Sequence, residues 1–389
     1  MRRVGGRPLF ALSVAAVALA ALLITPRVWR GYGGAQHREA RLPAKYEPRE
    51  LLAGSSEPPA PRVAADLEQL EPAGLQAAAA YAGEHGSQAL IVSRHDHIVF
   101  ERYWQGTGFD TLSDAQQLTP LLAALAAGVA VSHRRIGWPD EPVGAILSEW
   151  SQDPRGAITV RNLMQMSSGL RAVPRGTPAT DLVGAVLSTP LGATPGSIRS
   201  DQPADPQLLA LVIERATGQR YASYVSQALW RRIGAADAWL WLDRPGGTPH
   251  ADCCLMSRQG DWIRVGQLLV RDGNYRGEEV IRPGWVPLMR MPAKADPAYG
   301  AYVRVATATT PGQESYAARD VFVAGGDGGN RLWLVPSLQL AILCTSALAR
   351  RDAQWNDGRI PNLIIRAARD VAPGSARPGG TVSSVVAGH

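Results

Sequence analysis

Lysine is nearly missing from this chain: Lys45 and Lys294 are the only two in 389 residues, although lysine and arginine together number 40. Positive charge is therefore carried by arginine, which stays protonated and cannot serve as a proton acceptor, so amine-base or Schiff-base chemistry has only two possible sources. Three cysteines are too few for a disulfide framework. Cys253 and Cys254 are adjacent, a spacing at which a disulfide is strained, and Cys344 falls in a run that reads as a buried strand. All three are expected to be thiols. No C-x-x-C, no H-E-x-x-H and no carboxylate cluster is present, so neither a metal nor any other cofactor is expected. His95 and His133 follow no ligand spacing and read as surface or turn residues. No internal repeat is visible.

The formal net charge is +6. Residues 1–45 hold eight cationic side chains against Glu39 alone, a local +7 that leaves −1 for everything after them. A near-neutral body without a basic stripe excludes nucleic-acid binding as the leading class. The excess of charge marks an address instead. Arg2, Arg3 and Arg7 precede residues 8–25, an uncharged run of transmembrane length, and an arginine-bearing segment follows. A small-x-small site at 18–20 lies inside the apolar run, so an uncleaved signal anchor is expected over 1–30, with the membrane as its partner. The short arginine-rich end would remain cytoplasmic and the body would be extracytoplasmic, single-pass at the inner membrane and periplasmic where two membranes exist. Residues 31–65, rich in Gly, Pro and charge, read as a flexible tether. Residues 66–372 form the folded domain, and the small-residue stretch 373–389 reads as a disordered tail.

Periodicity gives the body a mixed plan. An alanine-rich helix over 72–84, stopped by Gly86, is followed by a hairpin of strands 89–93 and 98–103 turning at His95-Asp96. Helices are predicted over 121–130, 160–168, 206–217, 222–233 and 262–270, then strands over 321–324, 331–335 and 340–344, and a last helix over 361–368. Strands at both ends with helices between them predict an α+β fold: one antiparallel sheet flanked by helices, with a helical subdomain.

Several segments carry a family resemblance: SQALIVS at 87–93 with FERY at 100–103, AITVRNLMQMSSGL at 157–170, PG at 195–196 with QLLALVIERATG at 207–218, GDGGNRLWLVPS at 326–337, and WNDGRIP at 355–361. In this order they resemble the serine β-lactamase and penicillin-binding-protein-like hydrolases, especially the branch of class C-like esterases and 6-aminohexanoate-oligomer hydrolases. The resemblance implies a β-lactamase/transpeptidase-like fold and three catalytic motifs.

Each motif is altered. Where the family has S-x-x-K at the start of a helix, serine and lysine sharing one face, residues 113–116 read SDAQ, which keeps Ser113 as nucleophile and puts Gln116 in place of the amine. A carboxamide takes no proton near neutral pH, so the hydroxyl has no base. Where the family has Y-x-N or S-[DG]-N, residues 200–202 read SDQ, giving Ser200 and Gln202. Where it has [KH]-[TSG]-G, residues 327–329 read DGG; Asp327 replaces a cation with an anion and should repel carboxylate substrates. Backbone N–H groups of Ser113 and near Gly329 and Asn330 are the candidates for an oxyanion hole, with Gly328, Gly329 and Asn330 as ligand-binding residues. The resemblance thus implies a degenerate, non-catalytic site that binds a small acyl, ester or amide ligand; no protein partner is indicated. The alternative is an active serine hydrolase in which Asp327 or Asp201 serves Ser113 as base.

Simpler readings compete at each position. Ser113 can be a capping or loop serine, and Asp327 an ordinary turn residue among glycines. Thr119-Pro120 is a helix-start signature; a helix opening there leaves Ser113 in a preceding segment, or places the motif off register altogether. Ser167-Ser168-Gly169 is not a nucleophile elbow, since Thr159 as cap and Gly169 beyond the helix end account for it.

Overall fold

The structure, a computed structural model, describes residues 47–172, 180–305, 312–326, 329–347 and 354–369. The expected anchor, the tether as far as residue 46 and the tail lie outside these residues. Among the described residues no helix is long and apolar enough to cross a membrane.

Strand β1 is Arg49–Leu52, and helix α1, Pro72–Glu84, carries proline in its first turn, where a missing N–H costs nothing. The hairpin β2 (Ser87–Arg94) and β3 (His97–Tyr103) turns through His95 and Asp96, at φ 48° and 66°. Two successive left-handed residues give the turn the twist that antiparallel strands require. After β4 (Leu112–Asp114) come α2 (Thr119–Ser132), α3 (Val160–Met164), α4 (Leu182–Ser188), α5 (Ala204–Thr217) and α6 (Tyr221–Val225). Next are β5 (Ala238–Trp241), β6 (Leu255–Arg258), α7 (Gln259–Val270), the two-residue strands β7 (Asn274–Tyr275) and β8 (Glu278–Glu279), and α8 (Trp285–Met289). Strands β9 (Val303–Val305), β10 (Phe322–Ala324), β11 (Arg331–Val335) and β12 (Leu340–Ser346) precede helix α9 (Arg359–Arg366).

The main sheet is antiparallel in the order β3-β2-β12-β11-β10-β9, so the C-terminal strands insert beside the N-terminal hairpin as the sequence predicts. Both faces are buried. Ile91, Leu332, Leu334, Ala341 and Leu343 meet the helical side, while Leu90, Val92, Trp333, Val335 and Ile342 meet α1 and α9. Two buried faces explain why these strands read as unbroken apolar runs, each large side chain contributing about 1.5–3 kcal/mol when removed from water. Helix α7 lies close against the sheet at Gly266, where a Cβ would come within 2.8 Å of that of Ala341.

Two expectations are corrected. The tether is too long as predicted: β1 pairs with β5, Ala60 is buried, and the amides of Ser55 and Glu57 donate to Ala235 and Gly234, so ordered structure begins before residue 65. A second sheet, β1-β5-β6-β4, was not anticipated. Its strands have four residues or fewer, too short for alternation to register.

Candidate active site

A cavity of about 240 Å³ opens where the start of α2 meets the end of β10. Gln117, Pro120, Met166, Asp201, Tyr302 and Gly326 contribute to its wall, with Arg199, Tyr299 and Arg304 beside them. The chain leaves β4, bends through Gln116 at φ 52°, makes a single 3-10 turn over Gln116–Leu118 and enters α2 at Thr119. A non-glycine residue held left-handed is a strained arrangement of the kind found where a loop must aim a neighbour. Here the neighbour is Gln117, and three residues on, one turn along the same face, stands Pro120.

Ser113 is not on this helix. It lies in β4, opposite Ser257 of β6, and it is not among the residues that wall the cavity. This departs from the helix start at Ser113 that the family pattern implies and follows the Thr119-Pro120 signature instead: proline at the opening of α2 fixes where the helix can begin. Thr119 itself is the first helical residue rather than the cap, which is Leu118.

Gln116 likewise serves the scaffold. Its Oε1 accepts the N–H of Gly329 at 2.9 Å, and its Nε2 donates to the carbonyl of Ser346 at 3.2 Å, so the amide uses both ends to join the segment before β11 to the end of β12. Asn330 adds to the clasp, donating to the carbonyls of Asp114 and Ala115 at 2.9 and 3.3 Å while accepting the Ser346 N–H at 3.0 Å. The Gly329 N–H, expected as an oxyanion donor, is thus already engaged by Gln116, and Asn330 is buried in structural bonds rather than turned to a ligand. A Cβ on Gly326 would fall 1.7 Å from Gln117 Oε1, so the Gln117 amide lies directly against that glycine. Asp327 and Gly328 lie outside the described residues.

Behind the cavity sits a buried polar group. Ser168 Oγ donates to Asp205 at 2.5 Å, and Gln202 Nε2 donates to Asp205 at 3.1 Å and to the Leu170 carbonyl at 3.2 Å. Burial pushes the Asp205 carboxyl up to about 7, against the lowering effect of the Ser168 and Gln202 bonds. Gln202 therefore supports the wall from inside instead of facing a ligand, and Ser200, whose amide donates to the Met166 carbonyl, holds the same segment. The neighbour between them, Asp201, is the residue of SDQ that reaches the cavity.

Sequence reasoning missed three contributors. Tyr302, at φ 52°, is one of the residues around the cavity; its hydroxyl is sealed from solvent without a hydrogen-bond partner among the described residues, and burial raises its pKa well above the usual tyrosine range, so it stays protonated. The Arg199 guanidinium stands 3.4 Å from the centre of the Tyr299 ring. Arg304 and Arg331 flank Asp357, with Arg331 Nε at 2.9 Å and Trp355 Nε1 donating at 2.5 Å. Asp357 is held down to about 2: the two guanidiniums and the Trp355 bond outweigh its burial. No spacing rule marks these residues, because they converge from separate strands and loops.

The cysteine expectation is also corrected. Cys253 and Cys254 are joined as a disulfide and are half-buried, whereas Cys344 is a buried thiol outside any disulfide, in β12 as predicted, 3.2 Å from Ser87 Oγ. His95 binds Glu68, Nδ1 to carboxylate at 2.6 Å, and His133 caps α2 at its C-terminal end.

A sheet completed by C-terminal strands, a helix opening beside its edge and a cavity at that junction define the class: an α+β fold of the β-lactamase/transpeptidase type, as the sequence predicts. The chain belongs to the Beta-lactamase family, whose model matches residues 75–353. It is 25% identical over 224 residues to the 6-aminohexanoate-dimer hydrolase of Paenarthrobacter ureafaciens, a match over 51% of this chain. The chain spans 56% of that relative's length. Among solved structures, a candidate 6-aminohexanoate-dimer hydrolase from Bacillus anthracis superposes with a TM-score of 0.68 at 17% identity, over 83% of this chain and 90% of the other. A penicillin-binding protein homologue from Caulobacter crescentus gives 0.60 at 15% identity, over 76% and 97%.

Proposed function

We propose that this protein is a non-catalytic member of its family, held at the membrane by residues 8–25 with its body outside the cytoplasm, that binds a small acyl, ester or amide ligand in the cavity beside α2. One observation carries the reading. The pair of residues that the opening of α2 turns toward the cavity, spaced as a serine and a lysine would be, is Gln117 and Pro120. A carboxamide is not a nucleophile and a pyrrolidine ring tied into the backbone is not a base, so neither half of a covalent mechanism stands at the position it would need. Without a positioned base a hydroxyl forgoes the usual hundred- to ten-thousand-fold contribution of proton transfer.

What is left suits recognition. Gln117, Arg199 and Asp201 contribute to the cavity wall beside the apolar Met166 and Pro120, a lining suited to a small ligand with a polar carbonyl group. The curated relative is named for hydrolysis of an amide dimer, which fits that ligand class.

The test is turnover by the purified body. Chromogenic cephalosporin and short-chain nitrophenyl esters should be consumed no faster than in buffer without protein. Turnover by the natural sequence that disappears with Ser113→Ala would replace this reading by an active hydrolase. For the anchor, the full chain should stay in the membrane fraction, with its body open to protease added from the extracytoplasmic side. A mature N-terminus just after Ala20 would rule the anchor out.

A further inference from the structure

Away from the cavity, the segment joining β5 to β6 gathers His250, Cys253 and Cys254, whose donor atoms all lie within 4.8 Å of one another on half-buried side chains. We infer that, once its disulfide is opened, this segment is a thiol-dependent site for one zinc ion, held by the sulfurs of Cys253 and Cys254 and by His250 Nδ1.

One donor spacing is already close to that of a coordination shell. Cys253 Sγ and His250 Nδ1 are 3.9 Å apart, beyond a good hydrogen bond. A tetrahedral zinc with bonds of about 2.3 Å to sulfur and 2.0–2.1 Å to nitrogen sets those two atoms about 3.6 Å apart, and two sulfurs about 3.8 Å apart. Adjacent residues whose Cα atoms are 3.7 Å apart can present both sulfurs at that separation. The imidazole is already oriented. Its ring stacks on Trp241 at 5.1 Å and 23°, and Asp252 Oδ1 lies 3.0 Å from Nδ1. Coordination through Nδ1 leaves the remaining ring proton on Nε2, while Asp252, released from Nδ1, adds a negative charge beside the ion. The half-buried setting leaves a fourth position to water.

The chemistry balances without a hidden reagent. An external dithiol gives two electrons and two protons to the Cys253–Cys254 bond and closes to its own disulfide. Zinc then displaces both thiol protons to solvent, since thiolate is the ligand. Reoxidation by an external disulfide reverses the sequence and releases the ion. The site shares no residue with the cavity wall and stands whether or not the cavity is catalytic.

The full chain, reduced with a dithiol that is then removed, should take up one equivalent of Zn²⁺ in equilibrium dialysis, and one of Co²⁺ with thiolate-to-metal charge-transfer absorption. The oxidised chain should take up none. Cys344→Ala should behave as the natural sequence, and His250→Ala should weaken binding at least tenfold. The inference is overturned if the reduced natural chain binds no metal, or if uptake persists in Cys253→Ser/Cys254→Ser. Loss of the far-ultraviolet dichroism on reduction counts against it too, because the site needs the turn between β5 and β6 intact.

Discussion

The main sheet and the cavity at its edge rest on different kinds of residue. The sheet has a full set of buried strands, a glycine that admits α7, and an ion cluster in which Asp357 pairs with both Arg304 and Arg331. The cavity wall, a helix opening beside a glycine-rich strand end, presents an amide, a pyrrolidine ring and a carboxylate, which on the function proposed above stand where catalysis would need nucleophile and base. Architecture rests on many small contributions that each tolerate little change, whereas chemistry rests on two or three side chains whose loss leaves the packing intact.

Mutations should separate the two regions. Asp357→Ala, in the scaffold, strands the buried Arg331 and should lower unfolding free energy by about 3–5 kcal/mol in urea denaturation. Gln117→Ala, in the cavity, should cost less than about 1 kcal/mol. Because the Asp357 carboxyl is held down to about 2, its contribution is complete above the unfolded value of 3.8 and fades as pH falls through 2; the variant should therefore lose that acid sensitivity. Gly266→Val, which presses a side chain into Ala341 and Leu332, should cost about 1–3 kcal/mol.

Asp205 gives the opposite pH behaviour. Its folded carboxyl lies near 7 against 3.8 unfolded, so between those values the folded state holds the extra proton and stability falls as pH rises. Asp205→Asn should flatten that fall, gaining on the natural sequence by on the order of 1 kcal/mol per pH unit between 5 and 7, read from urea midpoints. An unchanged slope would mean that Asp205 is better solvated than its burial indicates. A further effect is expected at Asp327: if its charge repels carboxylate ligands, Asp327→Lys should tighten binding of a carboxylate-bearing ligand roughly fivefold at low salt, about 1 kcal/mol for a charge reversal. Micromolar binding of a penicillin to the natural sequence would contradict the repulsion assigned to Asp327.

The scaffold was legible because its signals are local. Proline and Gly86 bracket α1, His95-Asp96 marks the hairpin, and Thr159 with Asn162 forms a capping box at α3, its backbone bonds at 3.0 and 3.1 Å. The cavity was only partly legible. Asp201 was weighed as a base and does reach the cavity, yet Gln117 went unnoticed and Pro120 was read only as a helix-start signal. The reason is physical: every residue from Thr119 to Val131 is buried, so α2 has no polar stripe to show which face meets the cavity. The search for a serine then led to Ser113, although Thr119-Pro120 already marked where the helix opens. The second sheet was missed because β1, β4, β5 and β6 are short, and their pairing depends on contacts distant in sequence.

The central claim is that no activated serine faces the cavity, and active-site labelling tests it most directly. A fluorophosphonate probe incubated with the purified body should leave it unlabelled, with native and heat-denatured protein indistinguishable. Stoichiometric labelling of the native protein that maps to Ser113 and is lost in Ser113→Ala would contradict the account.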